Sequence, residues 1–129
     1  MEVKMLEGLI GAQLVELNGR GFVVRKDGDL VRFSFVEDEG ECCGFNSIKT
    51  ELFVSKGELR RNPVITNIQE DRPYNERHDS NDLVITFFGE KKQIAKIGSM
   101  SSSLSGWEYG ASVSLRCLKT EEEEVLTHW

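Results

Sequence analysis

The chain has 129 residues, of which 39% are hydrophobic, with a formal net charge of −6 at pH 7 and three cysteines. This length predicts one domain whose core needs no disulfide or metal, and the acidic charge argues against a nucleic-acid backbone as the partner. Because no apolar run reaches about 18–20 residues and MEVKMLEGLIGAQ lacks a signal-peptide core, we expect a cytoplasmic protein with reduced thiols and no membrane contact.

The first half of the chain carries the alternating pattern of β-strands. GFVVRK (21–26) and LVRFSFV (30–36) flank a DGD turn (27–29), which predicts a hairpin because glycine readily takes the positive φ of tight turns. NSIKTELFVS (46–55) is predicted as a strand and not as part of a helix, since β-branched side chains favour strands. KGELRRN then suits one helical turn, which Pro63 ends.

Four further strands follow in the second half of the chain. PVITNIQE (63–70) is predicted as one of them, and LVITFFG, which ends at Gly89, forms a second hairpin with KQIAKIGS (92–99). ASVSLRCL (111–118) is predicted as the last strand. Its alternation places these residues on the inner face: Ala111, Val113, Leu115 and Cys117.

Together these segments predict a mainly β fold. We expect a single antiparallel β domain of about seven strands, arranged as a half-barrel or small sandwich, with at most one or two short helical turns. This domain covers residues 1–118, and residues 119–129 form an acidic C-terminal tail or a short helix. The polar segment DRPYNERHDSND (71–82) is predicted as a mobile loop.

Neither a metal site nor a catalytic site is predicted. Cys42 and Cys43 are adjacent, whereas zinc ligands are spaced as C-x2–4-C, so a buried pair of structural thiols near Cys117 is the preferred interpretation. His78 and His128 have no cysteine at ligand spacing, and the serines lack a nucleophile motif. We therefore expect a protein that is not an enzyme and has no cofactor.

The segment SMSSSLSGWEYGASV (99–113) places a serine-rich, polar run directly before two large aromatic residues, Trp107 and Tyr109. One interpretation is a hairpin loop in which Trp107 and Tyr109 extend the core, because their parity matches the inner face of the last strand. The other is a ligand site. There the backbone N–H groups and the hydroxyls of Ser103 and Ser105 donate to an anion, and Trp107 or Tyr109 stacks on a planar base. The sequence leaves both interpretations open.

Three arginines are candidate phosphate contacts. Arg60 and Arg61 form a basic pair just before Pro63, either as solvated surface charge or as a phosphate clamp. Arg116 lies on the last strand at a position that faces the opposite side of the sheet from Trp107. It is therefore a candidate phosphate contact separate from the aromatic pair.

The order of these motifs resembles a family of small, uncharacterised phage and prophage domains. The resemblance covers residues 6–117 and rests on the first hairpin, the acidic loop ending in Cys42-Cys43, the NPVI that opens the next strand, and the Ser-Gly-aromatic-x-Tyr loop. The GFN sequence at 44–46 departs from the acidic and aromatic residues found after the double cysteine in such domains. The resemblance implies a phage accessory protein that acts inside a bacterial host cell and antagonises host defence.

Three functional hypotheses follow. The first is an oligomeric binder that sequesters a small anionic, nucleotide-type immune signal. Its expected ligand contacts are Ser103, Ser105, Trp107, Tyr109, Arg60, Arg61 and Arg116. The second is a protein-binding inhibitor of a host defence enzyme, which uses the acidic loop 37–41, the tail 121–129 or a strand edge. The third is an assembly factor of the virion. A homo-oligomer is expected for the first.

Overall fold

A computed structural model describes residues 4–38, 45–76, 80–102 and 112–128 of the chain. Two short helices and eleven strands occur in these residues. In chain order they are α1 (Lys4–Glu7), β1 (Gln13–Asn18), β2 (Gly21–Lys26), β3 (Asp29–Asp38), β4 (Phe45–Leu52), α2 (Lys56–Arg60), β5 (Asn67–Asp71), β6 (Tyr74–Asn75), β7 (Ser80–Asn81), β8 (Leu83–Phe88), β9 (Gln93–Ser102), β10 (Ser112–Cys117) and β11 (Glu123–His128).

The strands form two main sheets and one small hairpin. The five-stranded sheet has the order β1-β2-β3-β10-β11, the four-stranded sheet has the order β4-β9-β8-β5, and β6 pairs with β7. Every one of these pairings is antiparallel. The inner faces of the two sheets share one hydrophobic cluster. The mainly β, antiparallel prediction is confirmed, and the sheets stack as an open sandwich.

Each of the seven predicted strands overlaps an observed one, and KGELRRN forms α2. The turn between β2 and β3 confirms the first hairpin. Lys26 pairs with Asp29, and the two residues between them, Asp27 and Gly28, have φ angles of 52° and 83°. Positive φ at both central positions is the geometry of a type I′ turn, whose twist matches that of the flanking strands. The structure adds four strands that were not predicted, namely β1, β6, β7 and β11.

Glu123–His128 in the acidic C-terminal segment form a strand, which corrects the prediction of a tail or short helix there. β11 pairs with β10 at the edge of the five-stranded sheet, and the Leu126 side chain is buried in the core. The Glu124 carboxylate accepts hydrogen bonds from the backbone N–H groups of Lys4 (3.2 Å) and Met5 (2.8 Å). One carboxylate thus satisfies two N–H donors at the start of α1, which have no partner within the helix.

The predicted loop 71–82 contains backbone pairing. Its first residue, Asp71, ends β5, and β6 and β7 pair with each other further along. The Arg72 Nη2 donates to the Leu126 carbonyl oxygen at 2.9 Å. The segment that leaves the four-stranded sheet is therefore tied to the edge of the other sheet.

Residues 63–66 link the two sheets through main-chain hydrogen bonds. On one side, the Leu14 N–H donates to the Pro63 carbonyl at 2.9 Å and the Ile65 N–H donates to the Ala12 carbonyl at 2.8 Å. On the other side, the Thr66 N–H donates to the Phe88 carbonyl in β8, also at 2.8 Å. Because these peptide groups bond to both sheets, the strand predicted over 63–70 pairs along β8 only from Asn67 onward. We call residues 63–66 the bridging segment.

The inner face predicted for the last strand is confirmed where it is described. Val113, Leu115 and Cys117 are all buried, and Arg116 between them is exposed. Ala111, Cys42 and Cys43 lie outside the described residues, so the structural thiol pair stays a prediction.

Candidate functional site

The arginine pair of the sequence lies where α2 ends. Ser55 caps the start of this helix by accepting a hydrogen bond on its Oγ from the Glu58 N–H at 3.1 Å, the usual role of serine at that position. Arg60 is the last helical residue, and the Arg61 N–H donates back to the Glu58 carbonyl at 3.1 Å. Asn62 then takes a positive φ of 52°, which turns the chain into the bridging segment.

This turn makes one wall of a surface cavity of about 620 Å³. The other walls are the bridging segment and the turn between β8 and β9. Most of the surface is apolar, and charged side chains lie around it. The lining residues are Val54, Glu58, Arg61, Pro63, Val64, Thr66, Gly89, Glu90, Lys91, Lys92 and Ile94. We call this the α2 cavity.

Two of the charged side chains in the α2 cavity neutralise each other. Lys92 forms an ion pair with Glu58, and the hydrogen bond from Lys92 lowers the pKa of the Glu58 carboxyl below its ordinary value. Neither Arg61 nor Lys91 makes a side-chain hydrogen bond or ion pair within the described part of the chain. The cationic groups left to meet a ligand are therefore Arg61 and Lys91, with Glu90 as the remaining carboxylate.

Such an arrangement suits a small molecule with an apolar body and an anionic group. Its volume lies in the range of about 300–1,000 Å³ that is typical of ligand sites. The planar guanidinium of Arg61 matches the geometry of phosphate and carboxylate. The apolar walls contributed by Val54, Val64 and Ile94 would be removed from water by the rest of the ligand.

The structure separates the predicted site residues. Arg61 lines the α2 cavity, whereas Arg60 is exposed beside it and is not among the lining residues. Arg116 lies in β10 on the outer face of the five-stranded sheet, so it does not join Arg61. The remaining predicted contacts lie outside the described residues: Ser103, Ser105, Trp107 and Tyr109.

Sequence reasoning missed the side of the cavity formed by the β8–β9 turn. The sequence pattern assigns Lys91 and Lys92 only to a hairpin. They are a second basic dipeptide in an acidic chain, however, and so indicate a candidate anion contact just as Arg60-Arg61 does. Their approach to α2 depends on the packing of residues more than 25 positions apart, which local periodicity does not encode. No aromatic side chain lines the α2 cavity among the described residues.

A smaller cavity of about 280 Å³ lies beside Cys117 at the end of β10. Burial raises the pKa of this thiol, but hydrogen bonds from the Thr120 hydroxyl and from the backbone N–H groups of Thr120 and Lys119 outweigh it, so the pKa lies below the ordinary value. Both lysines of this cavity are engaged, Lys26 with the Gly8 carbonyl at 2.6 Å and Lys119 with Asp29 at 3.1 Å. It therefore has less free positive charge than the α2 cavity.

Neither helix in the described ranges is long and apolar enough to cross a membrane. Comparisons with protein-family models, with curated proteins and with solved structures each find no match.

Proposed function

We propose that this protein is a non-enzymatic binder of a small, nucleotide-type organic anion, held in the α2 cavity. The observation that carries the proposal is the position of two cationic side chains, Arg61 and Lys91, on a mostly apolar cavity of about 620 Å³; neither forms an ion pair within the described residues. The anionic group of the ligand would contact these two residues, and its body would lie against the apolar walls.

The carboxylate of Glu90 supports a nucleotide over a bare phosphate. A carboxylate accepts hydrogen bonds from hydroxyl groups but repels a second anion. Glu90 lies next to Lys91 in the lining of the cavity. A ligand that carries sugar hydroxyls as well as phosphate would donate hydrogen bonds to Glu90 and pair its phosphate with Arg61 and Lys91. Inorganic phosphate has no sugar hydroxyls to donate, so Glu90 would only repel it.

The chemistry of the lining supports binding without catalysis. Glu58 is held by Lys92, and the Thr66 hydroxyl donates to the Phe88 carbonyl at 3.2 Å. Among the described residues that line the α2 cavity, no nucleophile faces a general base. A bound ligand would therefore be retained unchanged.

The biological setting of the proposal comes from the resemblance to phage and prophage domains. A protein that retains a nucleotide messenger unchanged lowers its free concentration, which is how a phage product could block a host immune signal. We accordingly propose sequestration of such a signal in the host cell, by a homo-oligomer that exposes several copies of the cavity.

Thermal unfolding tests the proposal. The purified protein is heated with cyclic mononucleotides, cyclic dinucleotides, cyclic ADP-ribose or inorganic phosphate, each at about one hundred times the expected micromolar Kd. A ligand bound at that ratio stabilises the folded state by about 2.7 kcal/mol, which corresponds to a rise in Tm of about 10 °C for a domain of this size. We expect this rise with at least one nucleotide and not with phosphate.

Variants assign any rise in Tm to the cavity. Arg61→Ala and Lys91→Ala should each abolish it, whereas Arg60→Ala, which removes a neighbouring arginine outside the lining, should retain it. If no nucleotide raises the Tm, the small-molecule proposal is wrong, and the protein-binding inhibitor becomes the preferred hypothesis. If Arg60→Ala and Arg61→Ala act alike, the ligand binds general positive charge and not this cavity.

A further inference from the structure

Three arginines lie on neighbouring strands of the five-stranded sheet. Arg25 in β2, Arg32 in β3 and Arg116 in β10 are all exposed. Arg32 pairs with Val23, two residues from Arg25, and Arg116 pairs with Ser34, two residues from Arg32. Diagonal neighbours of this kind lie about 7–8 Å apart. The three side chains therefore form a row across the sheet.

All three arginines point away from the core. Side chains alternate between the two faces of a strand. Of the residues that flank the arginines, Val24, Phe33, Leu115 and Cys117 belong to the core cluster, and Val31 packs against it. The outer face of the sheet is thus the arginine side. It is a different surface from the α2 cavity, whose lining includes none of these residues.

Two exposed leucines lie beside the row of arginines. Leu30, which is 54% exposed, pairs directly with Arg25. Leu118, which is 49% exposed, lies beside Arg32 because its N–H donates to the Arg32 carbonyl at 2.9 Å. We call the surface formed by these five residues the arginine face: Arg25, Leu30, Arg32, Arg116 and Leu118.

The carboxylates nearest the arginine face, Glu16 and Glu123, form no ion pair with its arginines in the described part of the chain. In the described residues, no hydrogen bond or ion pair joins the three guanidinium groups to a partner. Glu123 is the cross-strand neighbour of Arg116, yet the two form no ion pair. Three adjacent cations repel one another, even though the chain as a whole has 22 acidic and 16 basic residues. A negatively charged partner would relieve that repulsion.

We propose that the arginine face is a docking surface for an acidic protein segment in which carboxylates alternate with aliphatic side chains. Arginine forms bidentate pairs with carboxylates, and it is enriched at the centres of protein interfaces. The aliphatic side chains of the partner cover Leu30 and Leu118, whose exposure otherwise costs hydrophobic free energy. This inference goes beyond the small-molecule function and does not depend on it.

A single-stranded nucleic acid fits the same surface less well. Sheet faces that bind such strands stack bases on aromatic side chains, whereas the large apolar residues of the arginine face are leucines. Glu16 and Glu123 share the outer face at its margins, where they repel phosphates. The mixture of guanidinium and aliphatic groups matches a protein segment more closely.

Fluorescence anisotropy with a defined probe tests this proposal. The probe is a labelled synthetic peptide in which glutamate alternates with leucine and valine, and labelled oligo-dT is measured in parallel. Replacing all three arginines by glutamine should weaken peptide binding by at least about tenfold, because several charge-assisted hydrogen bonds are lost. A control that removes equal charge elsewhere, Lys49→Gln with Arg60→Gln and Lys96→Gln, should change the Kd by less than about twofold.

A second pair of substitutions tests the contribution of the two leucines, which an interaction based only on charge would not require. Leu30→Ser with Leu118→Ser keeps every charge, and it should weaken peptide binding to a similar extent. These positions are exposed, so the variants should fold, which circular dichroism verifies.

Four outcomes would overturn the proposal. The wild-type protein fails to bind the peptide; the two triple variants lose affinity equally; oligo-dT binds more tightly in an arginine-dependent way; or the arginines instead support self-association by analytical ultracentrifugation, which assigns the face to a second copy.

Discussion

The rings of Phe22 and Phe87 meet edge to face across the two sheets, with their centroids 5.4 Å apart and their planes at 79°. Phe22 belongs to β2, and it also stacks on Phe33 of the neighbouring strand at 5.0 Å. Phe87 belongs to β8 of the other sheet and is fully buried. This contact joins the two layers at the centre of the core.

Truncation of Phe87 should be among the most destabilising single changes. Phe87→Ala removes the ring from the interface of the sheets and leaves a cavity, a change that costs about 3–5 kcal/mol. Phe53→Ala makes the same chemical change at a position that is 40% exposed, and it should cost about 1 kcal/mol or less. Urea denaturation of both variants measures the difference. Equal losses would show that the Phe22–Phe87 contact does not organise the core.

Gly21 is predicted to tolerate no side chain. A Cβ at this position would lie 2.0 Å from the Phe33 carbonyl oxygen, whereas a Cβ at Gly19 would meet nothing within 4 Å. Gly21→Ala must push β2 and β3 apart, so we expect a loss of at least about 2 kcal/mol. Gly19→Ala should be neutral or stabilise slightly by restricting the unfolded chain. Thermal unfolding separates the two, and a neutral Gly21→Ala would contradict the close approach of these strands.

The ion pair between Glu58 and Lys92 should stabilise the fold in a pH-dependent way. The pKa of Glu58 is lowered in the folded protein, so its contribution is present above the unfolded-state pKa of about 4.3 and is lost as the pH falls through the folded-state value. Glu58→Gln should therefore be less stable than wild type near neutral pH, and the difference should vanish in acid. Denaturation curves across this pH range test the sign. A difference that grows in acid would contradict it.

Alkylation of Cys117 should depend on the hydroxyl of Thr120. Because that hydroxyl helps to lower the pKa of the thiol, Thr120→Val should raise the pKa and shift the pH profile of labelling to higher pH. Thr120→Ser keeps the hydroxyl and should leave the profile unchanged. Mass spectrometry of the peptide that contains Cys117 reads the rate separately from the other two cysteines. Identical labelling profiles for both variants would show that the Thr120 hydroxyl does not lower the pKa of Cys117.

Local pattern predicted seven strands and missed four, of which β6 and β7 have only two residues each and β1 and β11 each contain an irregularity of register. In β1 the register shifts between Leu14 and Glu16, so the inward residues Leu14 and Leu17 stand three apart, a spacing that breaks the period of two expected of a strand. β11 has a similar shift opposite Val113 and Ser114. There the run of glutamates also suggested a solvated tail, although Glu124 caps α1 and Leu126 enters the core.

The candidate site was predictable only in part. Arg61 was singled out because a basic pair stands out in an acidic chain, and the structure places it on the α2 cavity. Its companion Lys91 comes from a different hairpin, which the ion pair between Lys92 and Glu58 and the hydrogen bond from the Thr66 N–H to the Phe88 carbonyl hold beside α2. The row formed by Arg25, Arg32 and Arg116 depends likewise on the pairing of β3 with β10, which joins residues about 80 positions apart in the sequence and leaves no local signature.

The bridging segment couples the unfolding of the two sheets. Its peptide groups are bonded to both layers, so one layer cannot open without loosening the other, and the two should unfold as one cooperative unit. The same segment lines the α2 cavity through Pro63, Val64 and Thr66. A molecule held there would restrain both layers at once, and hydrogen exchange at the amides of Leu14 and Thr66 would slow together.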